Sequence, residues 1–489
     1  MPLRRTRVRM KISLTHLSSS SSEIGLVFGA TSPYGSLIRV SRGTPVCCPP
    51  RGASTQERFS ERDTPWARRG ADDIRRRPAM QVKYERCCGL DVHKETVVAC
   101  VIVSGASGHV RKTTRTFSTL TEGLMALAQW LKEEGCGQAV MESTGVYWKP
   151  VYNLRVDTCE VLVVNAAHIK KFGNKTDVSD AEWLADLLRH GLVRGSFIPC
   201  TLQRALRDLT RYRTRLIDDH SREVNRVQKV LEDANLKLAS VASDVMGVSS
   251  RAILAQLIEG QSDPALLAEL AKGRLREKRA ALEQALTGRF TAHHRFMLVQ
   301  HLSHIDYLDE QIAKLDAEIV EQIRPFQAAV DRWDQLPGIN QRTGQVIVAE
   351  VGADLKPFAD AAHLASWGGM CPGNQESAGK RHSGKTRKGS KWLRRALVEA
   401  AHSAARTKNT YFATLYHRLA GRRGKKRALV AVGHSLLVTG YTLITRQIDY
   451  QDLGANYFDE QNKEAVKRRT VKRLEQLGFQ VELKPVTAS

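Results

Sequence analysis

Lys175-Thr176-Asp177-Val178-Ser179-Asp180-Ala181-Glu182-Trp183-Leu184-Ala185-Asp186-Leu187-Leu188-Arg189-His190 is the stretch on which the reading of this chain turns. Thr176 is placed to cap a helix, with acidic residues in the turn that follows. Ala181, Leu184, Leu187 and Leu188 recur at helical spacing and predict one apolar face. Asp177 and Asp180 are three apart, so both carboxylates emerge on the same side at the helix start. Two such charges repel. Solvent tolerates that, and a divalent cation between them makes use of it. Taken alone, the stretch reads as a solvated helix start matched to the helix dipole. The chain around it changes that reading.

Upstream, from Gln81, the pattern is α/β. Cys87-Cys88-Gly89-Leu90-Asp91-Val92-His93-Lys94 leads into Thr96–Val103, two β-rich runs about a turn, and Arg111–Ser118 is a third strand candidate. Thr121–Glu134 has helical spacing, Gln138–Glu142 is a short buried strand ending in a carboxylate, Tyr147–Leu154 is a helix, and Glu160–Val164 is another strand. The predicted order is three strands, helix, strand, helix, strand, helix, which is the order of an RNase H-like nuclease fold. Asp91 in the first strand unit, Glu142 at the end of the fourth strand, and Asp177 and Asp180 on the closing helix then form one acidic set. Mg²⁺ takes hard oxygen ligands and keeps several waters, so a few carboxylates suffice, and two such ions can serve phosphoryl transfer. Asp91 alone would be a turn residue and Glu142 alone a helix cap; together with the aspartates they predict a metal site.

Downstream, residues 202–240 predict a highly charged helix carrying Arg204, Arg207, Arg211, Arg213, Arg215, Arg222 and Arg226, which reads as a solvated face or a nucleic-acid surface. Residues 243–290 predict short helices. Leu298, Ile305, Leu308, Ile312, Leu315 and Ile319 alternate near three and four, predicting a coiled coil or an antiparallel helical pair. Leu336-Pro337-Gly338-Ile339, followed by an apolar helix, has the form of a helix-hairpin-helix that grips DNA phosphates. A glycine-rich basic loop spans Gly368 to Lys391. In it Ser377-Ala378-Gly379 is followed by Lys380 and Arg381, with Lys385, Arg387 and Lys388 beyond. A serine so placed can attack a phosphodiester if its proton is removed, while the cations neutralise phosphate. Ser383 stands in a similar Ser-Gly-Lys setting, and an ordinary basic loop with turn serines is the alternative. Arg422, Arg423, Lys425 and Lys426 predict a sharp basic turn suited to a phosphate strand, ahead of an apolar helix over Ala428–Ile444.

Composition frames these motifs. The 489 residues carry a net charge of +24 and a pI near 9.8, which points to a polyanionic partner, most simply nucleic acid. No apolar run is read as a membrane span. The nine cysteines are scattered without a CxxC, which argues against a zinc site or disulfide framework and for a reducing cytosol. Residues 1–79, rich in Arg, Ser and Pro with a serine run at Ser18–Ser22, predict disorder. Ordered patterning begins near Met80, and the expectation is that the working protein begins there.

Five separated motifs carry a family resemblance: Gly89–Lys94, Met141-Glu142-Ser143-Thr144-Gly145, Lys175–Leu188, Leu336–Ile339 and Asn374–Arg395. Over residues 80–450 the chain resembles DEDD insertion-sequence transposases of the IS110 family, in particular their IS eleven-eleven subgroup, with Piv-type DNA invertases as relatives. The resemblance implies a RuvC-like RNase H-fold DEDD domain at 80–200, a helical or coiled-coil spacer at 201–330, a serine transposase domain at 331–448 and a charged tail at 449–489. It implies Asp91, Glu142, Asp177 and Asp180 around Mg²⁺, and Ser377 as a nucleophile that bonds covalently to DNA. It implies a structured guide RNA from the element, donor and target DNA as partners, a homo-oligomer (dimer or tetramer), and a cytoplasmic, nucleoid-associated protein. The other reading is a metal-dependent junction resolvase or nuclease that uses water and keeps the serine loop for binding DNA.

Overall fold

The structure, a computed structural model, describes residues 81–105, 109–143, 145–153, 159–165, 180–373 and 375–483, with backbone alone at 375–377, 381 and 382. The chain divides into Met1–Ala79 and Met80–Ser489, and every described residue belongs to the second unit.

Five strands form the N-terminal sheet: β1 (Arg86–Val92), β2 (Thr96–Ser104), β3 (Val110–Ser118), β4 (Gln138–Glu142) and β5 (Glu160–Val164), in the order β3-β2-β1-β4-β5. Short turns make β1, β2 and β3 antiparallel, and the His93 amide closes the first turn on the Thr96 carbonyl at 2.9 Å. β4 runs parallel to β1, and β5 parallel to β4, because longer connections containing helices Thr121–Glu133 and Trp148–Asn153 intervene. Alternation along each strand serves two layers. Cys88, Leu90, Val97, Ala99 and Met141 face Leu124, Leu127 and Leu131 of the first helix. Cys87, Cys100, Ile102 and Val140 face Ala181, Leu184, Ala185 and Leu188 of the helix Asp180–Arg189. β3 and β5 are the two edge strands, and the Arg and Lys side chains of β3 discourage pairing with another chain. This mixed α/β sheet is compatible with an RNase H-like fold.

The rest is helical apart from one small hairpin. Helices Thr201–Asp233 and Ala292–Ile323 pack together. Arg213 meets Asp316, Glu223 meets His301, and Asp233 meets His294, so rising numbers on one helix meet falling numbers on the other. The pair is therefore antiparallel, an arm about 50 Å long at 1.5 Å per residue. Its far end joins short helices around Val227, Leu231, Ile253, Leu254, Leu298 and Leu302. Its near end enters a second core built on Trp333, Leu336, Ile347, Leu397, Leu436 and Leu437. Leu206 from one helix, and Ile319 and Ile323 from the other, belong to that near core.

Three expectations change here. Several arginines of the charged helix bind protein rather than facing solvent or a partner. Arg207 donates to the carbonyls of Ala349 (3.1 Å) and Glu350 (2.5 Å), Arg211 pairs bidentately with the Glu350 carboxylate, and Arg213, 2% exposed, binds Asp316 and Gln345. Second, the sharp basic turn at residues 422–426 is reduced to a single-residue break between two helices. One helix runs to Arg423, Gly424 breaks it at φ +82°, and the next starts at Lys425. Third, this next helix, Lys425–Arg446, is long and apolar enough to cross a membrane by length and composition. Gly433, His434, Ser435 and Gly440 interrupt the run and mask its length in the sequence. One face of it, including Val432, Leu436 and Leu437, is buried in the second core, and Gly440 lies against the Trp333 ring.

Candidate active site

Asp91 and Glu142 reach one place through strand geometry. The β1–β4 register pairs Gly89 with Val140 and Leu90 with Met141, so Asp91 and Glu142 follow side by side at the ends of neighbouring parallel strands. Two-residue alternation puts Asp91 on the face of Cys87 and Gly89, and Glu142 on the face of Val140. That face carries the helix Asp180–Arg189.

The helix approaches at Gly89. A methyl group built there would overlap the Ala181 carbonyl oxygen and lie 2.5 Å from the Ala185 amide nitrogen, so only glycine lets the backbones meet. The contact falls on the first turn of the helix, which Asp180 opens. An ion pair and a hydrogen bond hold the rest of it. Lys112 of β3 pairs with Glu182, and Arg189 donates to Ser104 Oγ at 3.0 Å.

Asp91 is a quarter exposed, and its Oδ2 lies 3.1 Å from His93 Nε2. His93 carries no role in the sequence motif; its place two residues after a strand-end aspartate is the signal that points to this contact. Asp91, Glu142 and Asp180 thus share one sheet face and one end of the domain. Asp177, with its capping partner Thr176, lies outside the described residues. Among the described residues, no three His, Cys, Asp or Glu side chains stand together as a group that could hold a metal ion. The donors are carboxylates, the hard oxygen chemistry that suits a divalent cation. The buried cysteines beneath are poor ligands for such an ion, since burial pushes the Cys87 thiol up to about 12.

The serine stretch belongs to the other core. The loop expected between Gly368 and Lys391 contains β6 (Gln375–Ser377) and β7 (Lys380–Ser383), paired with Ser377 opposite Lys380. Ala378 and Gly379 make the turn with φ of 51° and 74°, the positive values of a tight hairpin, which an alanine adopts under strain. The base is closed by the Gly373 amide on the Lys385 carbonyl at 2.8 Å and by Gly369 packed on Gly389. Ser383 lies at the far end of β7, its Oγ accepting from the Lys385 amide at 3.1 Å. Lys385, Arg387 and Lys388 are exposed just beyond, as are Arg422, Arg423, Lys425 and Lys426 at the helix junction.

Glu350 ties this body to the arm, a role with no local sequence signal. Its side chain is 1% exposed and takes both Arg211 and the Ser390 hydroxyl, the latter at 3.0 Å. Ser390 also caps the helix Lys391–Ala404. Beside them, burial lowers the Arg207 guanidinium to about 10 although Glu350 pulls the other way.

Comparison with known proteins agrees with this architecture. Residues 88–236 match the DEDD transposase model of the IS110 family, described as a transposase, and residues 331–417 match the model described as transposase of the IS116/IS110/IS902 family. Over 278 residues the chain is 23% identical to a Pseudomonas aeruginosa protein called a probable family 20 transposase, an overlap of 56% of this chain and 70% of that protein. The two family models and this relative point to a DNA-acting transposase. These matches support a transposase of the IS110 family, a family that implies DNA as partner and divalent metal use in general.

Proposed function

We propose that the chain is an insertion-sequence transposase that cuts and rejoins DNA through Ser377, with Asp91, Glu142, Asp177 and Asp180 as the ligands of Mg²⁺. The observation that carries this reading is the arrival of Asp91 and Glu142 at neighbouring strand ends, on the face where Gly89 admits the first turn of the Asp180 helix. The bound ion would supply charge stabilisation at the scissile phosphate and lower the cost of deprotonating an oxygen nucleophile.

The chain's own groups do the remaining work. His93 holds one oxygen of Asp91 and so fixes the rotamer of that carboxylate. Ser377 Oγ attacks phosphorus; the Oγ–P bond forms as the P–O bond to the leaving strand breaks. The phosphodiester energy is kept in the protein–DNA link for rejoining. Lys380 and Arg381 offset charge on the phosphate oxygens. Lys385, Arg387, Lys388, Arg422, Arg423, Lys425 and Lys426 hold the flanking strands, and the Pro337-Gly338 turn adds a helix-hairpin-helix grip.

In this reading residues 80–200 are the RuvC-like DEDD domain, 201–330 the helical spacer, 331–448 the serine domain and 449–489 a peripheral tail. Carboxylates and serine stand on separate cores, which favours a homo-oligomer in which one protomer's acids serve another's serine. A structured RNA from the element is the proposed guide.

The test is a covalent-adduct trap. Labelled junction DNA, the flanking non-coding RNA and Mg²⁺ are incubated with the protein and run on a denaturing gel, alongside Ser377→Ala and Asp91→Ala. The expected result is an adduct that both substitutions abolish. Cleavage without an adduct, unchanged in Ser377→Ala, would replace the serine mechanism with attack by water.

A further inference from the structure

Behind the serine hairpin lies an open cleft of about 910 Å³, within the range of small-molecule and nucleotide pockets. Lys385, Arg394, Arg423, Lys426 and Arg427 line it, and among the described residues no carboxylate does. Arg394 is held in place by donating to Thr386 Oγ1 at 2.8 Å. Between these cations the wall is apolar: Met370, Pro372, Leu419, Ala428, Val430 and Ala431. His434 completes the lining, and its Nδ1 is buried with no hydrogen-bond partner among the described residues. Burial holds that imidazole below its ordinary pKa, so at neutral pH it is an uncharged group able to donate or accept.

A cationic rim over an apolar wall, with one neutral polar group, matches a nucleotide: phosphate at the rim, base against the wall, one ring edge to hydrogen-bond. The placement fits as well. Ser383, Gly384 and Lys385, at the end of β7, line the cleft, and Lys380, the strand partner of Ser377, is three residues away along the strand. That is about 10 Å of strand, a few nucleotides of DNA at about 3.4 Å each.

We infer that this cleft receives one unstacked nucleotide of the DNA strand, close to the phosphate that Ser377 attacks. The inference rests on the proposed role of the basic surface in holding DNA. Sequestering a base there would bend the backbone away from the duplex and turn the neighbouring phosphate outward.

The test uses the full chain and a DNA duplex carrying one unpaired 2-aminopurine, whose emission reports loss of stacking, with a fully paired duplex as reference. The wild type should bind the bulged duplex about tenfold more tightly, the scale of one base contact, and change its emission. Ala431→Trp, which fills the cleft, should abolish both signals and leave affinity for the paired duplex unchanged. Arg427→Gln, at an exposed position where folding is not at risk, should weaken the preference for the bulge. Binding of both duplexes with equal affinity, or a preference that survives these substitutions, would overturn the cleft while leaving the basic surface intact. Failure to bind either duplex would remove both. A preference confined to a bulged RNA would overturn the assignment to DNA.

Discussion

Gly89→Ala tests the acidic site without touching a carboxylate. The added methyl carbon would stand 3.0 Å from the Ala181 carbonyl carbon and nearer still to that carbonyl's oxygen. Carbon atoms settle at about 3.5–4.0 Å and the carbonyl oxygen is the nearer obstacle, so the helix must retreat by roughly 1 Å or more. Both obstacles are backbone, and no flexible side chain can absorb the change. Overpacking of this kind costs about 1–3 kcal/mol. The retreat carries Asp180, a proposed metal ligand, with it, and displacement of such a group by about 1 Å costs on the order of a hundredfold in rate. Binding should be spared, because the basic residues lie on the other body. Strand-cleavage rates on labelled DNA, fluorescence anisotropy for binding and urea unfolding for stability measure the three effects. A folded Gly89→Ala protein that cleaves at the wild-type rate would refute the claim that this contact sets the position of the acidic helix.

Three further outcomes follow from the same geometry. Glu350→Ala removes the buried partner of Arg211, whose own side chain is about a third exposed and can be rehydrated, so the loss should fall below the ~3–5 kcal/mol of a fully buried pair, read as a lower urea midpoint; an unchanged midpoint would mean the pair contributes nothing to the join. Burial works to raise the Glu223 carboxyl, but the His301 hydrogen bond and the charges of Arg226, His304 and His301 outweigh it and hold the pKa below the usual glutamate value. A carboxylate depressed by folding stabilises above its unfolded pKa and loses that contribution as pH falls through the folded value. The stability gap between wild type and Glu223→Gln should therefore be full at neutral pH and close on acidification below the ordinary glutamate range; a gap that widens in acid would reverse the sign. Chelation with EDTA should stop strand cleavage, with recovery on adding Mg²⁺, while duplex binding persists because it comes from Lys and Arg on phosphates. Cleavage that continues in EDTA would exclude the metal.

The N-terminal sheet was readable because its information is local. Val97 to Val103 and Gln138 to Glu142 announce themselves by residue type, and the alternation decides which side chains share a face. Once the order of elements is known, the convergence of Asp91 and Glu142 follows. The misread arginines show the opposite case. Arg211 finds its carboxylate 139 residues away, and nothing beside it in the chain marks that partner. An exposed arginine and one locked to a buried glutamate look alike in sequence. The serine hairpin stayed hidden for a further reason: Gln375 to Ser383 lacks the β-branched and aromatic residues that mark strands, and its turn places Ala378 at a positive φ that alanine usually avoids.

The antiparallel arm begins and ends in the same core, with Leu206 near its start and Ile319 and Ile323 near its finish. It is therefore an excursion from the second core, so the proposed spacer projects from that one body. Its length can vary without altering how the acidic sheet meets the serine body, provided equal numbers of turns are lost from both helices so that pairs such as Glu223 with His301 keep their register. Natural variation in size should thus be tolerated at the tip, and a foreign domain grafted there would travel with the enzyme while leaving its joint untouched.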